Sequence, residues 1–289
     1  MKPGIYHNLP FDDYRELDAV NNGKLSLMAR SAKHCKNPAQ EETNALQSGR
    51  LAHIAVLEPL DVLQRHVVMP KFAKHEQNVA ASGERSTSRT KWVQEQEEQF
   101  RALHVGKEMI SQAAYDEMLG VAQSVAEHAK ARKLLHSDGD SEVTIVWEDE
   151  ETGLLCKGRM DRLCLPRFAD LKTSEDLNKF RHSFRNYGYY RQMAFYQDGY
   201  AKITGEILEP WIVAVEKKPP YCVQAAPVAD DALEYGRQEY QRLLRQYAEC
   251  LAKDHWPGPE SPDAWRLPEW AMQDEGGLEL VIGNKTVRL

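Results

Sequence analysis

The sequence predicts an α/β fold, in which a mixed sheet is flanked by helices. The first observation is a central segment, 142–174, where apolar and polar residues alternate with the two-residue period of strands. The second is helical periodicity in the segments on both sides of it. The third is a composition of 42% apolar and 28% charged residues over 289 positions, which allows a sizeable core. Together these observations predict a single α/β domain over 1–289.

The segments before the central one carry local signals of strands, helices and loops. Pro59 ends one helical pattern, and Ser26 is suited to cap a short helix. A polar segment without periodicity predicts a flexible loop. The predicted elements are, in order, a loop at 1–25, a short helix at 27–35, a helix at 44–58, a strand at 61–70, the flexible loop at about 71–90, and helices at 91–104 and 106–136.

The central segment predicts a meander of three strands, because a turn rich in Asp, Glu and Gly separates the first two. A helix that is rich in aromatic residues follows, with Asp176 or Asn178 as its cap. The predicted elements are strands at 143–148, 154–165 and 168–174, a helix from 176 or 178 to about 204, strands at 208–217 and 219–226, and a helix at 230–253. We expect the Pro- and Trp-rich tail, about 255–289, to wrap the surface or to cover a partner chain.

Composition excludes several classes of protein. The start of the chain lacks an apolar run of signal-peptide length, and no uncharged segment is long enough for a membrane helix, so we expect a cytoplasmic protein without a membrane partner. Five scattered cysteines without a CxxC pair predict reduced thiols. A formal charge of −7 argues against coating nucleic acid by bulk electrostatics, but it allows an enzyme with local basic patches and a bound divalent metal.

Asp161, Asp170 and Lys172 form the candidate catalytic group. The two carboxylates stand at the ends of neighbouring predicted strands, so they can share a hard divalent cation such as Mg²⁺. Lys172 lies two positions after Asp170 and therefore on the same side of its strand. The pattern predicts metal-assisted phosphodiester hydrolysis, with the lysine orienting water or offsetting charge. Alone it is weak, because Asp-x-Lys also occurs in ordinary edge strands.

Three further features have two interpretations each. His53 lies one helical turn after Gly49, which lets another element approach it, although a histidine in the core is the usual reading of such a pattern. Gln192 and Tyr196 share one face of the helix that follows the strand carrying Asp170 and Lys172. They contact either the DNA backbone or the candidate site. Glu142 is a further acidic candidate, but a charge at a strand edge is the simpler interpretation.

These motifs together carry a family resemblance. GRLAH (49–53), GRMD (158–161), DLKT (170–173) and QMAFY (192–196) occur in the order and spacing of the RecB-like branch of the PD-(D/E)xK nucleases. The run HIAVLEP and the tail with its W-P and L-P-x-W-A pattern resemble more closely the RecE-type exonucleases, in the C-terminal nuclease domain of exonuclease VIII. The resemblance covers about 6–271 and implies a PD-(D/E)xK restriction-endonuclease-like core.

The resemblance implies a Mg²⁺-dependent exodeoxyribonuclease, with Mn²⁺ as an alternative metal. Such an enzyme degrades the 5′-ended strand of linear double-stranded DNA and leaves 3′ overhangs for a single-strand annealing protein in phage-type recombination. It also implies a homo-oligomer, a ring-shaped tetramer around DNA. Carried over to this chain, His53, Asp161 and Asp170 bind metal, Lys172 assists catalysis, and Gln192 and Tyr196 support the site.

The chain departs from the family in two respects. Many members have Glu at the last carboxylate position, where this chain has Asp170. Some RecB-type nucleases carry a four-cysteine iron–sulfur cluster, and we expect none here because the C-terminal cysteine group is absent from the sequence. Two other hypotheses stay open: a non-catalytic DNA-binding or assembly protein on the same fold, and a structure-specific endonuclease.

Overall fold

A computed structural model of the chain describes residues 1–38, 44–72, 87–266, 279–282 and 285–288. The strands are β1 Gly4–Tyr6, β2 His66–Val68, β3 Glu108–Ile110, β4 Asp140–Glu148, β5 Leu155–Cys164, β6 Arg167–Ser174, β7 Glu209–Glu216, β8 Val223–Pro227, β9 Glu279–Ile282 and β10 Lys285–Arg288. The helices are α1 Phe11–Glu16, α2 Asn22–Arg30, α3 Ala32–Lys36, α4 Asn44–Leu57, α5 Pro59–Arg65, α6 Thr87–Leu103, α7 Gln112–Glu127, α8 Ala129–Leu135, α9 Phe180–Asn186, α10 Tyr189–Thr204 and α11 Asp230–Lys253.

The main sheet has six strands in the order β1-β4-β5-β6-β7-β8. Neighbouring strands are antiparallel except β6 and β7, which run parallel and are joined through α9 and α10. A parallel pair needs such a crossover, because the chain must return to the end of the sheet at which the first strand began. The predicted mixed sheet flanked by helices is therefore confirmed.

Helices cover both faces of the sheet. One layer contains α2, α10 and α11, and its core includes Leu25, Phe168, Met193, Phe195 and Leu243. The other layer contains α4, α7 and α8, and its core includes Val56, Val121, Leu134, Leu171 and Val213. Phe168 of β6 packs in the first layer, whereas Ala169 and Leu171 pack in the second. Successive residues of a strand point to opposite faces, so each face of β6 supports a different helical layer.

The sheet opens between its two central strands. Paired residues join β5 to β6 only at one end, from Arg162↔Ala169 to Cys164↔Arg167. Beyond that point β5 stays paired with β4 back to Leu155, whereas β6 stays paired with β7 up to Ser174. The two strands therefore diverge at Asp161 and Asp170, the next residues along each strand.

The N-terminal segment covers the edge of β5 that this opening exposes. The amide of Val20 donates to the carbonyl of Leu155, and the amide of Lys157 donates to the carbonyl of Val20, both at 2.8 Å. The buried Lys157 ammonium also donates to the carbonyls of Tyr14 and Leu17 at 2.6 Å and lies 4.6 Å from the centre of the Tyr14 ring. An unpaired buried strand edge is costly, and these bonds satisfy it.

The predictions for the central segment are confirmed closely. The three meander strands, the turn at 149–153, the strand at 208–217 and the helix at 230–253 correspond to β4, β5, β6, β7 and α11. In the turn, the amide of Gly153 donates to the carbonyl of Asp149 at 2.8 Å, and Gly153 has a φ of +68°.

Several predicted element boundaries are wrong, for local reasons. The strand predicted at 61–70 is mostly α5, because Pro59 at the first helical position and Asp61 in the first turn begin a helix, and only His66–Val68 are extended. The cap predicted at Ser26 is instead Asn21, whose side chain accepts from the amide of Lys24. The N-terminal loop contains β1 and α1.

Two predicted long helices are broken. The helix predicted at 106–136 contains β3 and then two helices, because the side chain of His128 accepts from the amide of Ala131 and caps a new helix, α8. The aromatic-rich helix begins with a 3-10 turn capped by Asp176, and it is interrupted at Gly188, which has a left-handed φ of +64°.

The predicted flexible loop lies mostly outside the described residues, and its last residues belong to α6, which begins at Thr87. Much of the C-terminal tail also lies outside them; the tail contributes the antiparallel pair β9 and β10. None of the helices in the described ranges combines the length and the apolar composition that crossing a membrane requires.

We predict that Lys157→Met lowers the free energy of unfolding by about 1–3 kcal/mol, because it leaves buried carbonyls without a donor while keeping the length of the side chain. Urea denaturation measures this as a lower midpoint at constant slope. Lys133→Met on α8 removes an exposed lysine and serves as the control. Equal midpoints for the two variants would contradict this account of the N-terminal segment.

Candidate active site

The candidate site lies where β5 and β6 diverge. Asp161 on β5 uses its carboxylate where the sheet would have a backbone acceptor: Oδ2 accepts from the amide of Leu171 on β6 at 2.7 Å. Asp161 and Asp170 are both buried. The structure thus brings the two predicted carboxylates to one point, at the opening of the sheet.

His53 reaches this point from α4. A side-chain carbon at Gly49, one turn earlier, would lie 3.7 Å from Thr173 Oγ1, so α4 lies against β6 at ordinary contact distance. Nδ1 of His53 is 3.4 Å from Asp161 Oδ2. Burial, together with the Lys172 charge, lowers the pKa of His53 despite the neighbouring carboxylates. A neutral imidazole is the form that binds a metal.

Asp170 and Lys172 form a buried ion pair between Oδ2 and Nζ. Oδ1 of Asp170 accepts from Gln192 Nε2 on α10 at 2.9 Å. Burial alone disfavours the ammonium, but the charges of Asp170 and Asp161 outweigh it and raise the pKa of Lys172. The lysine therefore stays protonated, and its Nζ lies 4.7 Å from the centre of the Tyr189 ring.

Gln192 and Tyr196 form the wall behind Asp170. Gln192 Nε2 is shared between Asp170 Oδ1 and the Tyr196 hydroxyl, which lies 3.2 Å away. Tyr196 packs on β5 at Gly158, where an added side-chain carbon would lie 2.7 Å from the tyrosine ring. The glycine of the GRMD motif is thus explained by the close approach of this ring.

Glu142 belongs to the same cluster, although a charge at a strand edge is the simpler interpretation of its place in the sequence. It lies between the register pairs Ser141↔Arg162 and Val143↔Met160, so it stands opposite Asp161. Ligand atoms of His53, Glu142 and Asp161 all lie within 4.8 Å of one another. The signal that identifies it is the hairpin register: counting equal steps back from the turn pairs Glu142 with Asp161.

The Glu142 side chain is positioned by a left-handed backbone conformation and by a hydrogen bond from Arg159. Its φ of +55° lies in the left-handed region, which is rare for a residue with a side chain and is concentrated at functional sites. Its Oε2 accepts from Arg159 Nε, and Arg159 also donates to the carbonyl of Leu9 at 2.9 Å. The arginine of the GRMD motif therefore links the acidic cluster to the N-terminal segment.

The cluster of carboxylates is electrostatically frustrated without a cation. Burial, then the charges of Asp170 and Glu142, raise the pKa of Asp161 well above its usual range, although Lys172 and the Leu171 amide oppose the shift. Asp170 Oδ2 accepts no hydrogen bond of acceptable geometry among the described residues and faces only the Lys172 ammonium. One imidazole nitrogen and several carboxylate oxygens suit a divalent cation of the Mg²⁺ or Mn²⁺ type.

Comparison with protein families agrees with this geometry. The model of the "PDDEXK-like domain of unknown function" family (DUF3799) matches residues 17–267, which include every element of the site. The chain belongs to this family. The predicted resemblance to PD-(D/E)xK nucleases is therefore confirmed, and the candidate site lies within the matched residues. No curated protein matches the sequence.

A solved structure shows the same fold as this PDDEXK-like domain. A "Putative exonuclease" from Eubacterium rectale aligns with 94% of this chain and 100% of its own, with a TM-score of 0.57 and 15% sequence identity. A second structure, SSO0001, aligns with 55% of this chain and 70% of its own at a TM-score of 0.27 and 14% identity, which is too distant to carry an argument.

We predict that Asp161→Asn stabilises the metal-free protein, because it removes a buried charge that Asp170 and Glu142 repel, while the amide oxygen still accepts from Leu171. Because the pKa of Asp161 is raised, the native state binds more protons than the unfolded chain at pH values between the unfolded and the native pKa. The stability of wild type therefore falls as the pH rises from the first of these values to the second. Differential scanning calorimetry in EDTA measures the effect, and the advantage of the variant over wild type grows with pH. A variant that melts below wild type throughout would contradict the predicted repulsion.

We also predict that divalent metal binds more tightly as the pH rises. The metal competes with the proton on Asp161, whose pKa is raised, but not with one on His53, whose pKa is lowered. At a free concentration about 100 times its Kd, the cation stabilises the fold by about 2.7 kcal/mol. Titration calorimetry with Mg²⁺ and Mn²⁺ in buffers of different ionisation enthalpy measures both affinity and proton release.

Glu142→Gln tests whether the Glu142 carboxylate belongs to the candidate metal site. If the Glu142 carboxylate binds the cation, the variant weakens the affinity by about tenfold or more, whereas Glu127→Gln, at an exposed position of α7, leaves it unchanged. Affinity that is equal to wild type in Glu142→Gln would remove Glu142 from the ligand set, and affinity that is independent of pH would remove Asp161.

Proposed function

We propose that this chain is a Mg²⁺-dependent exodeoxyribonuclease, with Mn²⁺ as an alternative metal, that degrades the 5′-ended strand of linear double-stranded DNA. The observation that carries the proposal is the joint placement of Asp161, Asp170 and Lys172 at the opening between β5 and β6, with His53 in contact. The PD-(D/E)xK fold supports phosphodiester hydrolysis, and the "Putative exonuclease" neighbour supports a nuclease that acts at ends.

The residues present fit a divalent cation. His53 and Asp161 would hold it together with Glu142 or Asp170, the second of which has one buried oxygen that faces only an ammonium. When bound, such a cation polarises a phosphodiester and makes bound water more acidic. We propose His53, Asp161 and Asp170 as ligands, as in the family that the sequence resembles, and we add Glu142 to the candidates.

The chain's own residues supply orientation and charge. Lys172 keeps its proton on Nζ and offsets negative charge that develops on the phosphate or orients the attacking water. Gln192 fixes the Asp170 carboxylate through Oδ1, so that Oδ2 points to the lysine. Burial of Tyr196 and its bond to Gln192 hold the amide of Gln192 in place. These contacts preorganise the site before substrate arrives.

The finer parts of the proposal follow from the resemblance to RecE-type exonucleases. The products are 3′ single-stranded overhangs for a single-strand annealing protein in recombination, and the working form is a ring-shaped homo-oligomer around the DNA. Enclosure by several subunits lets a chain with a net charge of −7 retain a polyanion that its bulk charge repels.

We predict that Asp170→Asn and Lys172→Ala each reduce Mg²⁺-dependent digestion of linear duplex DNA by 10²-fold or more, because each removes a group at the reacting phosphate. Duplex labelled at either the 5′ or the 3′ end, with and without Mg²⁺, measures both activity and polarity. Asp116→Asn and Lys133→Ala, which change exposed residues of α7 and α8, are the matched controls.

The same assay separates the other hypotheses. Digestion of covalently closed circular duplex would identify an endonuclease, because an exonuclease needs an end. Binding without release of nucleotides in any metal would identify a non-catalytic DNA-binding protein. Full activity of either site variant would overturn the assignment of the site.

A further inference from the structure

A basic and aromatic surface lies beside the candidate site and is not used by it. It is formed by α9 with the residues on either side, and we call it the α9 surface. Its exposed side chains are Asn178, Lys179, Arg181, His182, Arg185, Asn186 and Tyr187. Phe180 and Phe184, one turn apart, pack towards the core and fix which side of α9 faces outward.

Among the described residues the two arginines of the α9 surface are not paired with the neighbouring acids, whereas its lysine, Lys179, is. Glu175 is paired with Lys217 and Lys218, at 2.8 and 3.4 Å, and Asp176 is 3.5 Å from Lys179. Arg181 and Arg185 stand one turn apart and form no ion pair within the described part of the chain. In a protein with a net charge of −7, two such arginines next to a site for phosphate chemistry favour a polyanion.

The backbone that presents Tyr187 is fixed from inside. Gly188 has a φ of +64°, and a side-chain carbon there would lie 2.5 Å from Nη2 of Arg191, so the kink requires glycine. Arg191 is buried; it pairs with Glu239 at 3.1 Å and donates to Ser26 Oγ at 2.7 Å. The kink between α9 and α10 therefore packs on a buried, hydrogen-bonded side chain, and it leaves Tyr187 63% exposed.

Tyr187 lies next to Tyr189, whose ring in turn lies next to the ammonium of Lys172. Its ring centre is 5.7 Å from that of Tyr189, and the Tyr189 ring is 4.7 Å from Lys172 Nζ. The other aromatic residues of this region, including Tyr190, Phe195, Tyr196 and Tyr200, are buried in the core. These two distances, from Lys172 to the Tyr189 ring and from there to the Tyr187 ring, together cover the length of at most about three nucleotides, at about 3.4 Å per nucleotide of one strand.

We propose that the α9 surface binds single-stranded DNA next to the reacting phosphate, with a base stacked on Tyr187 and backbone phosphates on Arg181 and Arg185. Aromatic stacking combined with cationic contacts is how proteins hold single strands without reading their sequence. The proposal deepens the proposed nuclease function: it identifies where one strand lies after it separates from the duplex.

Binding of a fluorescent single-stranded oligonucleotide in EDTA tests the proposal without hydrolysis. We predict that Tyr187→Ala weakens binding by about 5- to 150-fold, because a stacked base is lost, whereas Tyr187→Phe binds like wild type because the ring remains. The double variant Arg181→Ala/Arg185→Ala weakens binding and reduces the slope of log K against log salt by about 1.4. Fluorescence anisotropy at several salt concentrations measures both effects.

Matched controls test the position as well as the residue type. Tyr235→Ala removes an equally exposed tyrosine, 63%, from α11, and Arg132→Ala removes an exposed arginine from α8, in the opposite helical layer. Both controls should bind like wild type. A loss in either control as large as that in the α9 variants would overturn the proposal.

The outcomes separate this inference from the proposed function. If wild type digests linear duplex with Mg²⁺ but Tyr187→Ala and the arginine double variant bind like wild type, the α9 surface is not the binding surface and the nuclease function stands. If binding depends on the α9 surface but no nucleotide is released, the inference stands and the nuclease function fails. Wild type that binds no single strand would overturn the inference.

Discussion

The divergence of β5 and β6 is the constraint on which the rest of this structure depends. A sheet that opens loses ladder hydrogen bonds and exposes two inner edges, and both losses must be compensated. On the β6 side, the Asp161 carboxylate accepts from the Leu171 amide. On the β5 side, Val20 and the ammonium of Lys157 occupy the edge. The opening is therefore stabilised by contacts from both strands and from the N-terminal segment.

The opening also explains how side chains from two helical layers meet. Asp170 and Lys172 follow Phe168 on the side of β6 that faces α10, where Gln192 lies. His53 comes from α4, in the other layer, and contacts Asp161. In a continuous sheet the backbone would separate the two groups, because successive side chains point to opposite faces. The divergence removes that barrier at one point.

Local sequence pattern indicates only part of the candidate site. Asp161, Asp170 and Lys172 follow from strand alternation, and Gly49 with His53 follows from helical spacing. For Glu142, a further acidic candidate, the sequence favours a charge at a strand edge, because its place in the cluster depends on pairing across a hairpin and on a left-handed backbone conformation. Local pattern does not indicate Arg159 for a similar reason, since its partners are Glu142 and the carbonyl of Leu9, 150 positions away.

The same distinction holds for the fold. The meander, β7 and α11 have clear periodicity and turn signals, and they were predicted closely. The breaks at His128 and Gly188 were missed, because a helical pattern continues across each of them. At Gly188 the cause is tertiary: the buried Arg191 occupies the space that a side chain would need. At His128 the cause is a side-chain cap that histidine seldom provides.

The charge of the site links the metal, the lysine and the α9 surface. Glu142, Asp161 and Asp170 bring three carboxylates together, against the cations of Lys172 and Arg159. Without a further cation this group repels a phosphate, since low dielectric strengthens the repulsion. A divalent cation reverses the sign at the reacting centre, but it acts on one or two phosphates only. The rest of a bound strand would still lie on a protein with a net charge of −7, and for this reason we propose that the exposed arginines of α9, Arg181 and Arg185, hold it.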